Sequence, residues 1–154
     1  GSYSNRKLSA YQKLMRENSQ KLPDSHRFAN HNENTIKKFS IFLKDAKKNS
    51  NISEDIKKRF NLKKHCVIPL CEKSTAPTLT TLPDDYIHYC EPRILTVREY
   101  ARIQSFNDWF EFKGKYTTGG ALRTKECPRY TQVGNAVPPL LSMAIAKNVK
   151  ELIS

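Results

Sequence analysis

"RILTVREYARIQSF", Arg93 to Phe106, sets the organisation of this chain of 154 residues. Thr96 and Glu99 stand three apart, just ahead of a run with apolar residues at helical spacing. That is the spacing of a capping box, in which the hydroxyl takes one orphan N–H and the carboxylate takes another. It predicts a helix opening at Thr96, about two to three turns long. Arg98 and Arg102 are four apart, so they lie on one face of that helix.

Upstream, "CVIPL" (66–70), "PTLTTL" (77–82) and "DYIHY" (85–89) are rich in β-branched and aromatic residues and are broken by Pro and Asp. They read as short strands. Earlier still the pattern is helical. Ser9 and Gln12 form a second capping-box spacing, followed by Tyr11, Leu14 and Met15. "ENTIKKFSIFLKDAKKN" places Ile36, Phe39, Leu43 and Ala46 on one face and lysines on the other. Ser53 caps a third, short helix in which Glu54 and Asp55 suit the positive end. "PDSHRFANHN" between the first two helices reads as a loop.

Downstream, "KGKYTTGG" (113–120) is a glycine-bearing loop. "RYTQVGNAVPPLLSMAIAKNVKELIS" (129–154) closes the sequence. Gly134 is expected to permit an unusual backbone, and Pro138-Pro139 preset a first helical turn. The helix from Pro138 is amphipathic, with Leu141, Ile145, Val149 and Leu152 on one stripe. The fold class read from this order is α+β: a helical N-terminal part, short strands in the middle and a C-terminal amphipathic helix.

The net charge is +12 and it is uneven. Residues 1–65 hold 16 Lys/Arg against 6 Asp/Glu, and the remainder holds 11 against 9. A basic part joined to a near-neutral part suits a polyanion, nucleic acid being the commonest. No apolar run approaches the length of a bilayer span, and the first residues lack the apolar stretch of a signal peptide. Four cysteines and four histidines include "HCVIPLC" and "HYC", but no Cys-x2-Cys occurs. The spacing points away from zinc, so no metal site is expected, and the cysteines are read as reduced thiols.

Taken together, 92–114 and 129–149 resemble the last two motifs, IX and X, of the DNA cytosine-5 methyltransferases. The first matches Arg-x-Leu-Thr-x-Arg-Glu-x-Ala-Arg-x-Gln-x-Phe at Arg93, Leu95, Thr96, Arg98, Glu99, Ala101, Arg102, Gln104 and Phe106. The second matches Gln-x-Gly-Asn-x-Val-Pro at Gln132, Gly134, Asn135, Val137 and Pro138. One departure is local: Asn107-Asp108 stands where the family usually has Pro-Asp. "APTLTT" is similar to the family's Thr-Leu pair at Thr78 and Leu79.

The resemblance implies a target-recognition region followed by the C-terminal motifs. The family's Pro-Cys pair, Phe-x-Gly-x-Gly, Glu-Asn-Val and Gln-x-Arg-x-Arg do not occur here. No catalytic residue is therefore expected in this chain, which reads as a fragment or split subunit, inactive alone. Three parts follow: a basic helical part (1–65), recognition strands with the motif IX helix (66–128), and the motif X loop with its helix (129–154).

In such enzymes a thiolate adds to C6 of cytosine, and C5 then takes a methyl from S-adenosyl-L-methionine. The base must leave the duplex stack to be attacked. The resemblance gives this region the tasks of gripping double-stranded DNA and reading its sequence. It implies DNA contact at Thr78 and Leu79, and cofactor contact at Asn135, Ala136 and Val137. Arg93, Thr96, Arg98, Glu99 and Arg102 are implied to be structural, the arginines pairing with Glu99 or other acids. The C-terminal helix would pack on an absent catalytic domain, so its stripe is expected to seek a substitute, as in a homodimer. The implied setting is bacterial, cytoplasmic and restriction-modification. The competing readings are a stand-alone DNA-binding module and a metal-stabilised interaction domain.

Overall fold

A computed structural model describes residues 7–19, 22–117, 122 and 125–153. The end of the "KGKYTTGG" loop, 118–120, lies outside them. Elements run α1 (Ala10–Arg16), α2 (Glu33–Asp45), α3 (Glu54–Arg59), β1 (Ile68–Pro69), β2 (Tyr86–Ile87), α4 (Val97–Ile103), α5 (Arg129–Asn135) and α6 (Pro139–Ile153). This is the small α+β fold expected from the sequence. The chain packs as two units: Phe28–Leu95 is one, and the residues up to Arg27 together with those from Thr96 onward are the other. Packing therefore groups α1 with the helices of the two motif segments.

In the Phe28–Leu95 unit, α2 opens where the Asn32 side chain accepts from Thr35 N at 2.8 Å, with Glu33 in the first turn. Phe39 and Phe42 are buried, and Leu43 and Ala46 pack beside them. Ile36, expected on that face, is 40% exposed. The buried stripe runs through Phe42 instead, because Ile36 sits in the first turn, beyond the reach of the core. Ile52, Val67, Ile87 and Ile94 complete that core. α3 is capped by Ser53 as expected and adds Ile56 and Phe60 to the core's edge.

The strands at 66–70 and 85–89 form, reduced to two residues each and paired in parallel, Ile68 with Tyr86 and Pro69 with Ile87. Parallel neighbours need a long crossover, and "PTLTTL" lies inside it. It is not a strand. Its polar groups bond locally instead: Tyr86 Oη donates to Thr78 O, and the Thr80 hydroxyl accepts from Leu82 N and donates to Asp85. β1 gains its other partner from an unexpected place. Asn49 N donates to Pro69 O at 2.7 Å, and Ile52 N donates to Val67 O at 3.0 Å.

In the second unit, α1 and α4 carry the two complete capping boxes read from the sequence, Ser9/Gln12 and Thr96/Glu99. Val97, Arg98, Tyr100 and Ala101 of α4 are all buried. α5 corrects the expectation for 129–135. Gly134 lies within a helix, and Gly114 is the one glycine with positive φ among the described residues. The reason is tertiary: Tyr130 and Val133 are buried three apart, and Tyr130 meets Tyr100 edge-on at 5.7 Å, which draws the segment into helix against α4. α6 follows after a bend of three residues, Ala136–Pro138. No helix among the described residues is long and apolar enough to cross a membrane.

Candidate functional site

α4 is the hub of its unit. Arg98 is 0% exposed. A buried guanidinium is tolerable only when its donors and charge are matched. Its Nε donates to Asp24 O at 2.8 Å, Nη1 to Asn107 O at 3.0 Å and Nη2 to Phe110 O at 2.5 Å. The Asp24 carboxylate lies 3.9 Å away, and the Phe112 ring lies below. One side chain thus stitches 24 and 107–112 to the helix.

Asp24 answers with its own contacts. It accepts from Ser25 Oγ at 2.6 Å and Phe112 N at 3.1 Å, and pairs with Arg129 Nη1 at 3.2 Å. Burial alone would raise its pKa. The two hydrogen bonds and the charges of Arg129 and Arg98 outweigh that and hold the carboxyl below its ordinary range. Arg129, at the start of α5, also donates to Ser25 Oγ and Gly114 O.

Arg102, one turn on, meets Asp108 in a two-pronged pair, both contacts 2.8 Å. The Asn107-Asp108 departure is used: Asn107 Nδ2 donates to Leu14 O at 2.7 Å, which a proline could not do. Asp108 N donates to Met15 O, so both residues tie down α1. Glu99 is engaged with the Thr96 backbone, so the acids facing Arg98 and Arg102 are Asp24 and Asp108.

The Asn135-Ala136-Val137 segment joins α5 to α6. Asn135 is exposed, Ala136 half-buried and Val137 62% exposed. From behind, Gln104 Nε2 reaches Val133 O at 3.4 Å and Ala136 O at 3.5 Å, and Ser105 Oγ accepts from Leu140 N at 3.1 Å. The apolar stripe of α6 is exposed as well: Leu141, Ile145 and Val149 are about half accessible, and Leu152 is 85%.

In the Phe28–Leu95 unit, Thr78 is exposed and Leu79 is 7% accessible. The crossover that carries them is fastened at three points. Asn49 Nδ2 donates to Ser74 Oγ and Thr75 O, both 2.8 Å, while its Oδ1 accepts from Cys71 N. Tyr86 holds Thr78 O. The buried Asp85 pairs with Lys64 at 2.8 Å and with the Thr80 hydroxyl at 2.6 Å. Asn49 has φ +54°, a left-handed position that asparagine tolerates. Arg93 stays local, donating to Ile94 O and lying 4.7 Å over the Phe28 ring.

The four cysteines are free. His88 of "HYC" organises a turn: its Nδ1 accepts from Glu91 N at 3.1 Å. No cluster of three or more His, Cys, Asp or Glu able to hold a metal exists among the described residues.

The family described as C-5 cytosine-specific DNA methylase matches residues 3–151. The chain belongs to that family.

Among curated relatives, the type II methyltransferase M.AplI of Arthrospira platensis is 41% identical over 103 residues. The match covers 60% of this chain and 27% of that protein. The type II methyltransferase M1.HphI of Haemophilus parahaemolyticus is 34% identical over 131 residues, 83% of this chain and 31% of that protein. The type II methyltransferase M.AquIB of Picosynechococcus sp. is 49% identical over 69 residues, 44% of this chain and 49% of that protein. The matches thus span from about a quarter to a half of these relatives.

Within this chain, the motif residues Arg93, Thr96, Arg98, Glu99 and Arg102 were legible through the family's motif pattern. Asp24, Ser25, Asn49 and Asn51 were not. Asn51 works as Asn49 does, donating to His65 O at 2.6 Å and accepting from Val67 N at 2.8 Å. The signal for both was weak: two asparagines in "KKNSNIS" flanking a helix cap.

Proposed function

We propose that this chain is the target-recognition and cofactor-completing part of a DNA cytosine-5 methyltransferase of a bacterial restriction-modification system, working in the cytoplasm. The observation that carries this reading is the α4–α5–α6 arrangement. The Asn135-Ala136-Val137 bend is anchored from behind and open in front, and it leads into a helix whose apolar stripe has no cover. Such a stripe suits a partner that brings its own apolar face. The partner we infer is the catalytic domain bearing the Pro-Cys pair, with a homodimer through α6 as the substitute when that domain is absent.

S-adenosyl-L-methionine supplies an electrophilic methyl group when bound. Asn135 would meet its polar groups through an amide that both donates and accepts, and Ala136 and Val137 would lie against its apolar surface. The exposed Thr78 hydroxyl would donate to a DNA phosphate and Leu79 would shape the neighbouring backbone. The lysines of α2 and α3 would add sequence-independent affinity that falls with salt.

The test is reconstitution. This chain is mixed with a catalytic half from a family member, and methyl transfer to C5 of cytosine in duplex DNA is measured. Transfer is expected only from the mixture, with Asn135→Ala raising the cofactor requirement and Thr78→Ala weakening duplex binding. Sequence-specific duplex binding that persists while no complementing half yields transfer would favour a stand-alone DNA-binding module.

A further inference from the structure

α6 begins without a cap of its own. Its first i to i−4 bond runs from Ser142 N to Pro138 O, which makes Pro138 the capping position, and proline has no side-chain oxygen to offer. The first helical N–H therefore belongs to Leu140, at the position that an N-cap side chain normally serves. It donates to Ser105 Oγ at 3.1 Å, 35 positions earlier in the chain.

Ser105 is buried, and its backbone is left-handed, φ +60°. That conformation ends α4: Ser105 N donates to Arg102 O at 3.0 Å and Phe106 N to Ala101 O at 2.9 Å, which fixes where the hydroxyl sits. Gln104 serves the other side of the same bend. It closes α4, and its amide reaches the Ala136 carbonyl and shares the Val133 carbonyl with the Ala136 N–H.

We propose that Gln104 and Ser105 are positioning residues for the cofactor loop: two successive side chains at the end of α4 fix the end of α5 and the start of α6, and thereby set the geometry of Asn135–Val137. This rests on the reading of that bend as a wall of the S-adenosyl-L-methionine site. Within the bend, Ala136 N donates to Val133 O at 3.2 Å, while Pro138-Pro139 supply no N–H. Motif IX adds the side-chain bonds of Gln104 and Ser105. Motifs IX and X then act as one device, with Gln104 and Ser105 as the hinge pins.

The test uses Ser105→Gly, which keeps the left-handed backbone accessible and removes only the hydroxyl, and Gln104→Met, which keeps the length and removes the donors. Amide hydrogen exchange in this chain is measured first. Exchange at Leu140 in Ser105→Gly, and at Ala136 in Gln104→Met, is expected to quicken by about five-fold, the size of one lost cap, with the amides of α4 unchanged. In the reconstituted enzyme, KM for S-adenosyl-L-methionine should rise by about the same factor, with kcat and the duplex KM unchanged.

Unchanged exchange at Leu140 and Ala136 would overturn the positioning role outright. Quickened exchange with an unchanged cofactor KM would leave the clamp standing and overturn the cofactor reading of the bend. A parallel loss of kcat, with α4 amides also exchanging faster, would reduce the pair to general support of the fold and overturn the proposal.

Discussion

α4 and α6 come from the two motif segments of one chain, and they live in opposite surroundings. α4 is seven residues long and buries four of them, including a complete arginine. α6 is fifteen residues long and buries none, although its sequence is the more apolar. Hydrophobicity thus does not decide burial here. α4 is inside because its polar groups are answered by Asp24, Asn107, Asp108 and Phe110 within reach of the same chain. α6 is outside: none of its residues is buried against the described residues. The first helix finishes a fold, and the second offers a surface.

The comparison breaks most readily at Arg98. Arg98→Met should cost about 3–5 kcal/mol in urea unfolding, since three carbonyls and part of a carboxylate lose a buried partner. A loss under about 1 kcal/mol would mean that α4 is held by apolar packing alone. Asp108→Asn removes one charge from the Arg102 pair but can keep a hydrogen bond, so a smaller loss, about 1–2 kcal/mol, is expected by the same measurement.

Acid should act on the α4 side too. The folded pKa of Asp24 is depressed, so its contribution is present above its unfolded value, near 4, and is lost as pH falls through the folded value. Asp24→Asn should therefore flatten the acid limb of the stability profile, and an unaltered limb would remove Asp24 from the account. His31 has a depressed pKa through burial and the nearby Arg93 charge, and it accepts from Ile94 N. Its contribution is present above about pH 6.5 and lost as pH falls below that, so the Phe28–Leu95 unit should loosen modestly between pH 7.5 and 5.5. An NMR titration in which Ile94 does not respond over that range would exclude it.

The smallest stability effect belongs to α6. Ile145→Glu with Val149→Glu should change the unfolding free energy by less than about 0.5 kcal/mol, because both side chains already face water. The same pair should abolish reconstitution and any self-association seen by sedimentation. A stability loss of several kcal/mol would show that α6 docks on its own unit and would erase the contrast with α4.

Much of the fold was legible because the relevant contacts are short-range. Ser9, Ser53 and Thr96 each cap a helix three residues ahead, and such pairs can be read from spacing. The turn at 88–91 needs only His88 and its neighbours. The motif residues of the candidate site were legible by pattern, but their partners were not. Nothing near Arg98 in the sequence points to Asp24, which is 74 positions away, or to the carbonyl of Phe110. "PTLTTL" has strand composition, yet its hydroxyls and carbonyls are spent on Asp85, Leu82 and Tyr86, which leaves no ladder to build.

The sequence by itself determined where α1, α3 and α4 begin, which residues match the two motifs, and where the positive charge gathers. These depend on neighbours along the chain or on composition, and both are written there. Tertiary structure alone decided that Gly134 sits in a helix, that Arg98 is dry, and that Ser105 caps a helix 35 residues away. Each depends on a partner that folding brings near, and the free energy of such a contact belongs to the pair rather than to either residue.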